Sequence, residues 1–277
     1  MPDRQRLYRT QAIILRRSDL GEADRLLTLL TPELGKLRVI AKGARKVASR
    51  KAGHVELFNR ASLLIARGRG EFDIVSQAET IEPSRALRED LTRSTYAHYA
   101  AELIDRFAEE GTAQPELFEL LCDGLGWFST ATDLARAARY FEMRLLSLAG
   151  FQPQVFQCVG GGEPLAEIRD DEMYGWSPTE GGALCPGHTA QRSDITRLSL
   201  GALKVMRHGM RSEYAAFAAL ALRESVALEV ERALQRYLTF VLERNLKSVE
   251  FIHVLRREAV VARSETGHSS ETGHSEG

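Results

Sequence analysis

The period of the apolar pattern changes once along this chain, at Pro83. Before it, side chains tend to alternate between apolar and polar. After it, apolar residues recur at three- and four-residue steps. Alternation sends successive side chains to opposite faces of a strand, whereas the longer step gathers them on one face of a helix. A chain with this break folds as a β unit followed by a helical one, an α+β multidomain architecture. Five runs before the break read as strands: Leu7 to Arg16, Leu26 to Thr31, Lys36 to Lys42, Leu57 to Ala66 and Phe72 to Thr80. Five short strands favour a closed barrel, because an open sheet leaves edges that must be covered.

After Pro83, the apolar residues Leu87, Leu91, Tyr99, Leu103 and Phe107 predict a helix that stops at Gly111. A second helix is expected from Pro115 to Phe128. A third is expected from a cap at Thr132 or Asp133 to Leu148, with Gly150 as its stop. Residues 150–190 hold 8 of the 22 glycines and 4 of the 8 prolines, which excludes a long helix. Helical spacing resumes near Ser193, reaches Gly209, and continues as a long amphipathic helix carrying Leu234, Leu238, Val241 and Leu242. The expected organisation is a barrel over 1–82, a helical domain over 83–149 and 191–258, a turn-rich, zinc-finger-like insertion over 150–190, and a disordered tail over 259–277. The tail repeats Ser-Glu-Thr-Gly-His-Ser at 264–269 and 270–275.

The formal net charge of −1 conceals a division. Residues 1–70 hold 16 Lys and Arg against 6 Asp and Glu, or +10, and the remainder carries −11. Such asymmetry points to a polyanion-binding N-terminal region on an acidic body. Within it, the window 36–51 has seven basic residues and no acid: Lys36, Arg38, Lys42, Arg45, Lys46, Arg50 and Lys51. The first three share one strand face, and the rest lie on a connection with slack. Arg16 and Arg17 near the first turn, and Arg67 and Arg69 in the last hairpin, extend the set. In a five-stranded OB barrel, strands 2–3 and loops 1–2 and 4–5 form the nucleic-acid face, and all three clusters map there. These eleven cations are the expected DNA-binding residues. Tyr8, Phe58 and Phe72 are the aromatics available for stacking on bases. Few aromatics beside many cations predict a backbone-driven, sequence-tolerant binder.

Other classes are disfavoured. The longest uncharged apolar run, Tyr214 to Leu222, is far shorter than the roughly 20 residues a spanning helix needs, and no signal-peptide core is present. Three cysteines cannot build a disulfide framework, so a cytoplasmic location is expected. Phosphate-binding glycine loops, zinc-protease helices and nucleophile elbows are absent, and no nucleophile–base pair can be named; no catalytic residue and no enzymatic activity are expected. Cys185-Pro-Gly-His188 has zinc-knuckle spacing, and Cys158 offers a third ligand. A closed zinc site takes four, and the position matching that spacing after Cys158 is Gly161, which cannot coordinate. The expectation is therefore that no cofactor is required, with a structural zinc as the alternative. Arg136, Arg139 and Arg144 fall on one side of the third helix, either as a solvated face or as a seat for an acidic peptide.

Two stretches carry a resemblance: Glu22-Ala-Asp-Arg-Leu-Leu-Thr-Leu-Leu-Thr-Pro-Glu-Leu-Gly-Lys36 and Val39-Ile-Ala-Lys-Gly-Ala-Arg-Lys46. Phe151 to Gly162, after Leu-Ala-Gly150, and Leu184-Cys-Pro-Gly-His188 add to it. With these residues, and with barrel, bundle and insertion in this order, the chain resembles the RecO family of bacterial recombination-mediator proteins. The resemblance implies an OB domain, a helical domain and often a four-cysteine zinc site, from which this sequence departs at Gly161 and His188. It also implies binding of single- and double-stranded DNA, strand annealing, and action with RecR to help RecA load onto strands coated by the single-strand-binding protein SSB. The residues alone leave two rivals. One is an OB-fold RNA-binding module, and the other is a non-catalytic adaptor that uses the helical bundle.

Overall fold

Gly21 and Gly35 both take positive φ, 57° in each case, and set the first two turns of the barrel. They join β1 (Leu7–Leu20), β2 (Asp24–Thr31) and β3 (Gly35–Ala41) into an antiparallel meander. In the computed structural model, which describes residues 7–68, 70–169, 172–190 and 192–242 together with 252, 254, 255 and 258, two further strands close the sheet. These are β4 (Arg60–Ala66) and β5 (Asp73–Glu82). The strand order is β1-β2-β3-β5-β4, a closed barrel with β3 and β5 parallel, which is the OB arrangement. Its interior is a separate apolar cluster that includes Ile14, Leu27, Leu29, Val39, Leu63, Ile65 and Val75.

Two strand limits differ from the sequence pattern by three residues or more, the others by one or two. β1 runs to Leu20, past a register shift between Ile14 and Arg16 that lets the long strand bend around the barrel. The fourth strand starts at Arg60 rather than Leu57, because Phe58 sits at φ 66° with its ring buried against His98, 4.9 Å between centroids.

The helical part begins with α1 (Arg85–Glu89) and α2 (Leu91–Phe107). The continuous helix expected here is split at Asp90, whose extended backbone lets its carboxylate accept from Arg93 N–H at 2.9 Å and cap α2. Helices α3 (Pro115–Thr130) and α4 (Leu134–Leu148) follow, α4 capped by Asp133. The insertion contains β6 (Tyr174–Ser177), β7 (Gly182–Leu184) and the single turn α5 (Pro186–Thr189). It reaches past residue 190, since β8 (Thr196–Leu198) pairs with β6 to complete a three-stranded sheet. Then come α6 (Leu200–Arg211), α7 (Tyr214–Ala218) and α8 (Glu224–Leu242). The tail 259–277 lies outside the described residues.

One apolar cluster runs through helices and insertion and takes in Ile13, Leu15, Leu30 and Phe58 from the barrel. The barrel is therefore docked rather than tethered. The β2–β3 turn makes much of the joint: Lys36 N–H donates to the Glu109 carbonyl at 2.9 Å, and Gly111 N–H donates to that of Leu34 at 3.1 Å. A Cβ on Gly35 would come within 2.5 Å of the Glu109 carbonyl oxygen, so the close approach needs glycine.

Candidate nucleic-acid interface

The register places the cations of the meander. Arg16 pairs with Thr28, and Thr28 with Arg38, so these three point outward in one row across β1, β2 and β3. Lys36 and Lys42 lie on the same outward face of the third strand and its continuation. Six residues at about 3.3 Å each separate them by about 20 Å, at opposite ends of the barrel.

At the lower end, the helical domain takes up the charge. Lys36 Nζ donates to the Asp105 carbonyl at 2.6 Å and lies 3.5 Å from its carboxylate. Arg16 reaches the same carboxylate at 3.2 Å. Arg38 pairs with Glu71 at 3.2 Å and Glu110 at 3.7 Å, and its guanidinium lies over the Phe72 ring. Arg16 also lines a cleft of about 400 Å³ against α2, shared with Glu102, Asp105 and Arg106. That cleft is of mixed sign and does not continue a cationic track.

At the upper end the charge is open to water. Ala41, Ala44 and Val55 are buried and pin the connection from β3 to β4 across the mouth of the barrel. Gly43 N–H donates to Asp24 Oδ1 at 2.7 Å, and Arg45 N–H donates to the Ala23 carbonyl at 2.9 Å, which ties this loop to the β1–β2 turn. Arg45 is held by Asp19 at 3.2 Å and by the Gly21 carbonyl at 3.0 Å, with part of its guanidinium exposed. Lys42, Lys46 and Arg50 are exposed, and among the described residues no ion pair or side-chain hydrogen bond engages them. Val47 between them stands fully in solvent.

The remaining predicted residues divide by role. Arg17 and Arg25 both pair with Glu56, the latter at 3.2 Å, and fasten the loop over the barrel mouth. Lys51 turns inward to the Val75 carbonyl at 3.0 Å, and burial lowers its pKa from the ordinary lysine value. Arg67 is exposed over the Tyr8 ring, and Arg69 lies outside the described residues. Of the aromatics, Phe58 is core, Tyr8 donates to Asp73 at 2.9 Å, and Phe72 is half-exposed beneath Arg38. The structure thus gathers Lys42, Arg45, Lys46 and Arg50 into one connection on a fixed base, and it withdraws Lys36, Arg17 and Lys51 into packing.

Two of the three α4 arginines, Arg136 and Arg139, are neither a solvated face nor an open seat, whereas Arg144 is half-buried with no ion pair among the described residues. Arg136 donates to the carbonyls of Ala218 and Leu220 at 2.6 and 2.7 Å. Arg139 is buried between Glu142 and Glu231.

The insertion holds a second constellation. Cys158, Glu163, Cys185 and His188 offer one donor atom each, all within 4.8 Å of one another. Thiolate, imidazole and carboxylate are the donors zinc takes, so the residues present fit the ion that the family resemblance implies. Glu163 is the donor that spacing missed, because it stands two residues beyond Gly161.

The described residues combine a closed OB barrel that carries a basic connection with a helical domain docked on it. The profile described as Recombination protein O N terminal matches residues 5–84, and that described as Recombination protein O C terminal matches 88–250. DNA repair protein RecO of Roseiflexus sp. (strain RS-1) is 39% identical over 254 residues, 92% of this chain and 88% of the relative. The protein of the same name from Symbiobacterium thermophilum is 37% identical over 251 residues, 90% of this chain and 98% of the relative. The chain belongs to the RecO family, the Recombination protein O family, and its role is in recombinational DNA repair.

Proposed function

We propose that the protein binds single- and double-stranded DNA through Lys42, Arg45, Lys46 and Arg50, with the exposed Arg67 in support, and that it anneals complementary strands. The observation that carries this reading is the exposure of Lys42, Lys46 and Arg50 on a loop whose base is fixed by Asp24 and Ala23. Two strands repel through their phosphates. A cationic loop on an otherwise acidic body releases their counterions and holds both at one face, and base pairing then drives the exchange. No covalent step is involved, so the protein acts without catalysis. Family membership supports placing this activity with RecR, on strands coated by SSB, as help for RecA loading; these partners and a nucleoid-associated, cytoplasmic location are part of the proposal.

Annealing of complementary strands that carry SSB tests it. The intact protein is expected to accelerate duplex formation many-fold over SSB-coated strands alone. A rate unchanged by the protein, with DNA binding retained, would reduce it to a generic binder. Absence of binding to DNA, with binding to RNA, would transfer the barrel to the RNA class.

A further inference from the structure

In a tetrahedral zinc site with bonds of about 2.0–2.3 Å, neighbouring donor atoms lie about 3.3–3.8 Å apart. The four donors in the insertion already approach that spacing. His188 Nδ1 is 3.4 Å from Cys158 Sγ, 3.2 Å from Cys185 Sγ and 3.3 Å from Glu163 Oε1. Cys185 Sγ is 3.1 Å from Glu163 Oε1. The backbone is arranged around them. Gly162 N–H donates to the Cys158 carbonyl at 2.7 Å and Cys158 N–H to that of Glu163 at 2.8 Å, which turns Glu163 back toward the sulfur. Val159 N–H donates to the Ala183 carbonyl at 3.0 Å and aligns this turn with the one bearing Cys185. Cys185 N–H points at Cys158 Sγ, 3.3 Å away, as backbone donors do in the outer shell of thiolate sites.

The glycines supply the room. A Cβ on Gly161 would lie on the Glu163 carboxylate and 2.7 Å from His188 Cε1. A Cβ on Gly160 would stand 3.0 Å from both His188 Cγ and Leu184 Cδ2. The position that looked like a lost ligand is a gap through which another ligand enters.

We propose that Glu163 supplies the fourth ligand of a zinc site completed by Cys158, Cys185 and His188 Nδ1. Two sulfurs, one nitrogen and one oxygen suit zinc and exclude magnesium and calcium, which take oxygen only. The ion cross-links the 158–163 turn to Cys185 and His188 at α5, and so ties two turns of the insertion to each other. Arg207 of α6 makes the separate link from the insertion to the helices by donating to the carbonyls of Val155 and Leu165 at 2.7 and 3.0 Å.

The test uses the full chain without an affinity tag, carrying His268→Ala and His274→Ala so that tail imidazoles cannot bind metal. Native mass spectrometry and elemental analysis should find one zinc per chain. Glu163→Gln should weaken zinc binding by about ten- to a hundredfold in competition with a chelator and alter the visible spectrum of the cobalt-substituted protein. Glu163→Cys should retain the ion and strengthen the sulfur-to-cobalt charge-transfer band, a readout that also serves if the Gln variant folds poorly. Absence of zinc from the parent chain overturns the site. Zinc affinity and cobalt spectrum unchanged in Glu163→Gln overturn the role of Glu163.

Discussion

Lys42→Glu, Arg45→Glu and Lys46→Glu together are expected to lower affinity for single-stranded DNA by about a hundredfold or more at 0.1 M salt. Each phosphate contact to a single strand contributes a salt slope of about −0.7, hence about 0.7 log unit of affinity at that concentration, and three are lost before repulsion is counted. Lys42 and Lys46 have no partner to strand among the described residues, and Arg45 gives up one exposed pair with Asp19. Surface changes of this kind usually alter stability little, so the unfolding midpoint should hold. Fluorescence anisotropy with a labelled oligonucleotide measures the first quantity, and a urea titration measures the second. Unchanged affinity in the folded triple variant would remove this loop from the DNA-binding surface.

Arg139→Ala should cost about 3–5 kcal/mol of stability, the largest effect expected from any single change here. Arg139 is 5% exposed, Glu142 0% and Glu231 7%. Tyr99 and Arg139 both donate to Glu142 Oε1, and Arg139 Nη1 lies 3.4 Å from Glu231 Oε2. Burial pushes the Glu142 carboxyl upward, with the Arg139 guanidinium opposing the shift. Without the guanidinium, two carboxylates share an apolar core and face one another uncompensated. Domains are stable by only about 5–15 kcal/mol, so urea titration should show a large loss. Replacing the whole group, as Arg139→Met with Glu142→Leu and Glu231→Leu, should restore much of it, because no buried charge then remains. A loss below about 1 kcal/mol for Arg139→Ala would mean that the ion cluster is solvated rather than buried.

The elements that sequence made legible are those with a strong local period. Lys36 to Lys42 alternates, and the strand found there, Gly35–Ala41, matches it to within one residue at each end; Asp133 caps α4 where a cap was expected. What stayed hidden depends on distant partners. Charge density marked 36–51 correctly as basic, yet Asp105, far along the chain, decides that Lys36 and Arg16 face the helical domain. Arg136 and Arg139 sit at surface-like spacing, and only the fold brings the carbonyls of 218 and 220 onto the first and Glu231 onto the second. β8 is three residues long, too short for alternation to show, and exists because β6 offers it an edge. Glu163 was missed because ligand spacing looks for a regular interval, whereas here a glycine turn carries the donor back.

Titrating the affinity of the intact protein for a single-stranded oligonucleotide against salt most directly weighs the exposed cations against the engaged ones. With Lys42, Arg45, Lys46 and Arg50 on phosphates, and Arg67 in support, log affinity should fall against log salt with a slope of about −3 to −4. A slope near zero would contradict the account, since it would mean that DNA is held elsewhere and by other forces.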